Sequence, residues 1–259
     1  MSSSNDSIKK TLTVALLLCI VCSVIVSGAA VVFKAQQLEN VDLDRKSNIL
    51  AAAGLLEPGK SVDELFAQIK PKVVDLNTGE YTDAVDVNTY NQLKAAKEPS
   101  LSKALTSAED IASIKRREHY ATVYLVEKDG QLDRIILPVR GSGLWSTLHG
   151  FLALEADANT VVGLGFYQHA ETPGLGGEVD NPKWKALWPG KKVFEEGSMT
   201  PAITLIKGSV DASTPNGEHK IDGLSGATLT SRGVSNLVQY WVGGEGFGPY
   251  LSKIRKEGV

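Results

Sequence analysis

The sequence is short of cysteine: among its 259 residues only Cys19 and Cys22 carry thiols, and both lie in an apolar N-terminal stretch. That rules out a disulfide framework, and no later cysteine completes a zinc or iron–sulfur set with their C-x-x-C spacing. Flanked by Leu, Ile and Val, the pair reads as ordinary apolar-segment residues rather than a redox couple. The four histidines, His119, His149, His169 and His219, are scattered, without H-x-x-x-H or paired carboxylate spacing, so no metal site is expected. Basic excess is missing too. A formal net charge of -3 leaves no Lys/Arg stripe, which argues against nucleic acid as a partner. No G-x-G-x-x-G follows a strand pattern, and Ser225 sits in no G-x-S-x-G elbow, so neither a dinucleotide fold nor a serine hydrolase is supported. No catalytic side chain stands out.

One long apolar run is present. Thr11 to Phe33 holds 23 residues and no charge. As a helix it would rise about 34 Å, enough to cross a hydrocarbon core of about 30 Å. Ser27-Gly28-Ala29-Ala30 would suit a cleaved signal peptide, but the apolar run exceeds the usual h-region, so an uncleaved single-span anchor is expected. Lys9 and Lys10 precede the run, with Lys34, Arg45 and Lys46 after it; the nearest flanks favour a cytoplasmic N-terminus, and the bias fades when counted wider. The expected plan is a short cytoplasmic segment at 1–10, a transmembrane helix at 11–33, membrane-proximal helices and an insert at 34–115, and a ligand-binding domain at 116–259.

Beyond the anchor the composition is that of a globular chain, 42% hydrophobic and 22% charged. Residues 35–56 read as a continuing helix stopped by Glu57-Pro58-Gly59. Ser61 opens a short helix, with Glu64 completing a capping box, Val62, Leu65, Phe66 and Ile69 on one face, and Pro71 as its stop. Residues 75–110 read as loop and helix. Two hairpins follow: 120–126 with 134–139 around a turn at Lys128-Asp129-Gly130, and 151–155 with 161–167 around Asp157-Ala158-Asn159. Between them Gly141 to Ser146 reads as a loop, and Glu171 to Gly177 as another. Ala202 to Lys207 is an expected strand, and residues 214–217 a turn. From Ser225 a helix begins, with Val234, Leu237, Val238 and Trp241 on one face and Gly243-Gly244 at its end. Strands and helices without βαβ alternation predict an α+β domain.

The segment Asp222-Gly223-Leu224-Ser225-Gly226-Ala227-Thr228 holds most of the chemistry. With Ser225 as N-cap, Thr228 would be the third helical residue, its hydroxyl near the free amides of the first turn. Those donors and the macrodipole favour a phosphate there. Many such stretches only cap a helix, so the residues alone leave both readings open.

The same segment resembles the flavinylation motif D-x-x-[ST]-[GA]-A-T of FMN-binding domains. With the N-terminal span, Gly141 to Ser146, Glu171 to Gly176 and the chain length, the whole resembles the family of C-type subunits of sodium-translocating NADH:quinone reductases. The G-type subunits of a related electron-transport complex are near relatives, and the insert at 55–115 looks more like that of the sodium-pump family. The resemblance implies FMN bound covalently through a phosphoester to Thr228, made by a separate flavin transferase with FAD as donor and AMP as product. It further implies an electron carrier in the bacterial inner membrane, single-pass, with its soluble domain in the periplasm. The partners implied are the other subunits of a membrane redox complex, one of which oxidises NADH. Asp222, Ser225, Gly226 and Ala227 would shape the attachment turn. Glu171, Thr172, Gly174, Leu175 and Gly176 would give the flavin backbone amides and a small apolar surface. Leu144 and Trp145 would pack either on the flavin or in the core, and Lys207 would either offset phosphate charge or be simply solvated. The competing readings are an anchored module that binds a ligand or partner without redox work, and a hydrolase or transferase of phosphate esters.

Overall fold

The computed structural model describes residues 7–257, so residues 1–6 of the expected N-terminal segment lie outside the described residues. The chain divides into two compact units, Met1–Asp44 and Arg45–Val259. In the first, α1 (Ile8–Val32) is an uninterrupted helix of 25 residues whose N-cap Ser7 Oγ accepts from Lys10 N–H. Its side chains are exposed throughout, and it is long and apolar enough to cross a membrane. Helix α2 (Lys34–Ala52) follows, and from Arg45 onward it belongs to the second unit.

α2 ends at Ala52, four residues short of the expected end at residue 56. Gly54 adopts φ +64°, Gly54 N–H bonds Ala51 O, and Leu55 N–H bonds Leu50 O. That pattern closes the helix at the glycine and satisfies its last carbonyls, so the later Pro-Gly is not needed. Helix α3 (Val62–Phe66) starts as the capping motif predicts, with Glu64 N–H on Ser61 Oγ at 3.2 Å. It stops before Ile69, and the expected helix stop Pro71 lies inside strand β1 (Ile69–Asp75). Strand β2 (Glu80–Tyr81) pairs with β1 only at Val74 and Asp75. Pro71 therefore faces an open edge, where its missing N–H costs nothing.

The 75–115 region contributes short elements: α4 (Gln92–Ala95), β3 (Ser102–Ala104) and, just after it, β4 (Arg116–Glu118), with β3 and β4 paired. Then come β5 (Tyr120–Lys128), β6 (Gln131–Ser142), β7 (Thr147–Glu155) and β8 (Val161–Gln168), a meander that with β1 and β2 forms an antiparallel sheet in the order β2-β1-β5-β6-β7-β8. The β1–β5 pairing runs through the boundary expected at residue 115, so the sheet does not divide there. Gly141 and Ser142, expected in a loop, pair with Leu148 and Thr147 and complete β6, leaving 143–146 as the connection. The rest of the chain supplies α5 (Pro182–Lys185), β9 (Thr204–Ile206), β10 (Lys220–Asp222), α6 (Thr228–Val242) and α7 (Gly248–Glu257). β9 is shorter than the expected 202–207 strand and pairs in parallel with β10.

Residue parity explains the layering, because neighbours on a strand face opposite sides. Val123, Leu125, Ile135, Leu137, Leu152 and Leu154 join the core under α6 and α7. Tyr124, Val126, Ile136, Phe151 and Ala153 join a second core with Ile49, Leu50 and Leu65 from α2 and α3. Both faces are covered, which is why these strands are so apolar. α6 buries Val234, Leu237, Val238 and Trp241 on one face.

Beneath α6, Arg140 of β6 forms a two-pronged bond with the fully buried Glu118 of β4, at 2.8 and 2.5 Å. Gln92 of α4 donates to the same carboxylate, and Trp241 Nε1 donates to Arg140 O. Removing one partner strands a buried charge. Glu118→Ala is expected to cost about 3–5 kcal/mol in denaturant unfolding of the detergent-solubilised chain.

Candidate functional site

The 222–231 segment folds around one left-handed glycine. Asp222 ends β10, with Oδ1 accepting Val210 N–H at 2.8 Å and its carbonyl accepting Trp184 Nε1–H at 3.0 Å. Gly226 has φ +71°, which turns the chain between Ser225 and the helix. As a result Ser225 does not cap α6. The N-cap is Ala227, without a side-chain bond, and Thr228 is the first helical residue rather than the third. Ser231 closes the turn instead, its Oγ accepting Leu224 N–H at 2.9 Å. The first i→i−4 bond is Ser231 N–H to Ala227 O, so the amides of Thr228, Leu229 and Thr230 precede the helix ladder and point outward from its start.

The four hydroxyls of this segment differ. Thr230 is fully buried and donates to Glu171 at 2.7 Å; Ser231 is buried and bonded; Ser225 and Thr228 are exposed, and of these two only Thr228 belongs to α6. Thr228 opens onto a cleft of about 1190 Å3 walled by residues 204–209, Asp222 to Gly226, Ser231 and Arg232. Its charged lining is Lys183, Lys207 and Arg232 against Asp222 alone, so the cleft suits an anion. Of these cations the sequence points only to Lys207. Arg232 has a signal that is easily passed over, being exposed and four residues after Thr228 on the same helical face. Lys183 has no sequence signal, because α5 is brought to the cleft only by tertiary packing.

The two other expected loops meet this turn on a different side. Glu171 is buried, and its carboxylate accepts the N–H groups of Leu144, Trp145 and Ser146 at 3.2, 3.0 and 3.2 Å, besides the Thr230 hydroxyl. Burial raises its pKa, and the hydrogen bonds from Thr230, Trp145, Leu144 and Ser146 outweigh that, leaving it lowered. Thr172 O takes the amides of Leu175 and Gly177, and Gly174 turns at φ +75°. A Cβ on Gly226 would lie 2.9 Å from Leu175 Cδ2, which places those two segments in contact. Leu144, Trp145, Leu175 and Leu229 leave large apolar side chains 44%, 70%, 44% and 52% exposed. Leu144 and Trp145 are thus surface residues, not core. Leu229, in the first turn of α6, adds an apolar residue that the motif does not single out.

An FMN-binding domain model matches residues 143–243, a range that includes the turn at Thr228 and the loop carrying Glu171. The chain is 59% identical to the C-type subunit of the Na(+)-translocating NADH-quinone reductase of Pseudomonas aeruginosa, over 98% of both chains. It is 50% identical to the protein of that name from Vibrio vulnificus, over 99% of both. Among solved structures, Shewanella oneidensis NqrC superposes with a TM-score of 0.75 at 34% identity, covering 83% of this chain and 99% of that one. The C-type subunit of the Na(+)-translocating NADH-quinone reductase from Parabacteroides distasonis gives a TM-score of 0.66 at 26% identity, with 85% and 96% covered.

The lowered Glu171 pKa carries a sign. A carboxylate held below its ordinary 4.5 adds stability that is complete above that value and is lost as pH falls through the folded pKa. Acid unfolding of Glu171→Gln should lack this loss, so the wild-type and variant stability curves converge as pH drops below about 4.5. Parallel curves across that range would show that Glu171 is not held ionised by its neighbours.

Proposed function

The chain belongs to the NqrC family, the C-type subunits of Na(+)-translocating NADH-quinone reductases, and from that membership we propose that its FMN is held by a phosphoester to Thr228. It is the membrane-anchored, FMN-carrying electron-transfer subunit of that oxidoreductase complex, working with the complex's other subunits. The observation that supports the attachment is the contrast among the hydroxyls of the first turn of α6: of Thr228, Thr230 and Ser231 only Thr228 is exposed, at the first helical position beside a cleft lined by three cations, while the exposed Ser225 lies ahead of the helix and its free amides.

The chemistry of attachment is the one the family resemblance implies. The Thr228 hydroxyl attacks the flavin-side phosphorus of FAD held by a flavin transferase. The P–O–P bond breaks, AMP leaves with the electron pair, and the hydroxyl proton passes to solvent. The first-turn amides and the positive end of α6 would hold the resulting phosphodiester monoanion. Lys207 and Arg232 offset its charge. Asp222, Ser225, Gly226 and Ala227 form the turn that presents Thr228, while Thr172, Gly174 and Gly176 shape the loop that presents Leu175. Leu144, Trp145 and Leu175 would supply the apolar surface for the isoalloxazine. When bound, the flavin would supply one-electron chemistry, and these residues would set its surroundings. The unit from Arg45 onward lies in the periplasm behind a single span. A covalent bond there holds the cofactor where no free flavin is supplied.

Thr228→Ala is expected to abolish covalent FMN while changing stability by no more than about 0.5 kcal/mol, since Ala suits a first helical turn. Peptide mapping of wild type should find FMN less water on Thr228; the same mass on Thr230 or Ser231 would move the site. Protease added to the outside of spheroplasts should digest the unit from Arg45 onward, and full protection would reverse the assigned orientation.

A further inference from the structure

The glycines of the two loops invite the reading that backbone must approach a flat ring. Their surroundings give another reason. A Cβ on Gly143 would lie 2.5 Å from Glu171 Oε1, and one on Gly176 would lie 2.7 Å from Glu171 Oε2 and 2.6 Å from Thr230 Oγ1. These glycines make room for a carboxylate that belongs to the protein. That carboxylate is only 5% exposed and is filled by donors from the chain itself. Oε1 takes the amides of Trp145 and Ser146; Oε2 takes the amide of Leu144 and the hydroxyl of Thr230. An ionised carboxylate has about four acceptor positions, so little capacity is left for a ligand. Its own backbone is fixed as well, because Glu171 N–H donates to His169 Nδ1 at 3.2 Å and His169 Nε2 meets Asp180 at 2.7 Å.

The geometry has a direction. With the backbone amides of 144–146 turned inward onto Glu171, the side chains of Leu144 and Trp145 stand outward and exposed. The fourth donor, Thr230, is two residues beyond Thr228 on α6. One carboxylate therefore ties the loop that carries the apolar side chains to the helical turn that carries the attachment hydroxyl.

We infer that Glu171 is a positioning residue for the flavin, fixing Trp145 and Leu144 against the ring without touching it. This rests on the attachment at Thr228 proposed above. Glutamine cannot substitute, because its NH2 would face backbone N–H donors that cannot rotate away.

The test uses the full chain, co-expressed with a flavin transferase and purified in detergent. Flavin content is read by intact mass, and flavin fluorescence is expressed per bound flavin. An indole in contact with an isoalloxazine quenches its emission, so Trp145→Phe should raise the yield several-fold. Glu171→Gln should raise it to a similar level, and Glu171→Gln combined with Trp145→Phe should add nothing further. Thr230→Val should move the yield in the same direction by a smaller factor, and Thr230→Ser should restore it. A merely structural role would lower the melting temperature without this non-additivity. An unchanged yield in Glu171→Gln with flavin on Thr228, independent effects of the two substitutions, or an unchanged yield in Trp145→Phe would each overturn the inference. If Glu171→Gln does not fold, an unchanged yield in Thr230→Val overturns it. Wild type lacking flavin on residues 222–231 would instead overturn the attachment, a separate result visible in the mass before any fluorescence is measured.

Discussion

At Gly233 and Gly141, α6 and β6 meet with almost no side chain between them. A Cβ on Gly233 would collide with Ser142 O and lie 3.2 Å from Gly143 Cα, and one on Gly141 would collide with Leu237 Cβ. Glycine inside a helix costs about 1 kcal/mol relative to alanine, and here the close crossing requires it. Because the helix lies against the end of β6, its early turns are brought beside residues 143–146, the connection that leaves that strand. The site depends on this crossing. Shifted outward by the thickness of a side chain, α6 would carry Thr230 out of reach of Glu171, and the turn at Thr228 would lose its neighbours.

Charge is sorted around the start of α6. Helix N-termini attract anions, and two anions compete for this one: the native carboxylate of Glu171 and the phosphate proposed at Thr228. They are kept apart by what they bond. Glu171 takes the amides of 144–146 and the Thr230 hydroxyl, and makes no use of the first-turn amides of α6. Those amides remain for a ligand on the exposed side, where Lys183, Lys207 and Arg232 line the cleft. Asp222, the acid in that lining, has one carboxylate oxygen occupied by Val210 N–H. An inward anion on one side of the turn and outward cations on the other leave an anion-sized deficit of negative charge at Thr228.

Local signals in the sequence are legible where the local chain decides the outcome. The Ser61 N-cap, the Asp129-Gly130 turn and the 3.6-residue stripe of α6 all appear as the residues predict. The failures have tertiary causes. Pro71 looks like a helix stop, but an edge position in the sheet tolerates it. Gly141 and Ser142 look like loop, but pairing with β7 and contact with α6 hold them in a strand. Ser225 is a good N-cap by residue type. Gly226 in the left-handed region moves the helix start on, so that Ala227 and not Ser225 is the cap, and Ser231 assumes the local hydrogen bonding. The motif marks the turn at Thr228, yet the bonding of Glu171 has no signature in the chain, since its four donor residues lie 25 to 59 residues away.

A carrier that must hand electrons to other subunits faces a conflict that this surface makes concrete. Non-covalent affinity for a flat aromatic cofactor rises with the apolar area buried, but a fully buried ring is far from its redox partners. Leu144, Trp145, Leu175 and Leu229 offer apolar contact while remaining between 44% and 70% exposed, too open a surface to retain a cofactor by burial alone. With the phosphate proposed as a covalent anchor, retention no longer depends on that area. The apolar lip is then free to orient the ring with its edge accessible, and holding the lip still becomes the remaining structural requirement. Glu171 meets it with interactions that are multiple, charged and internal, and therefore independent of whether a partner is docked.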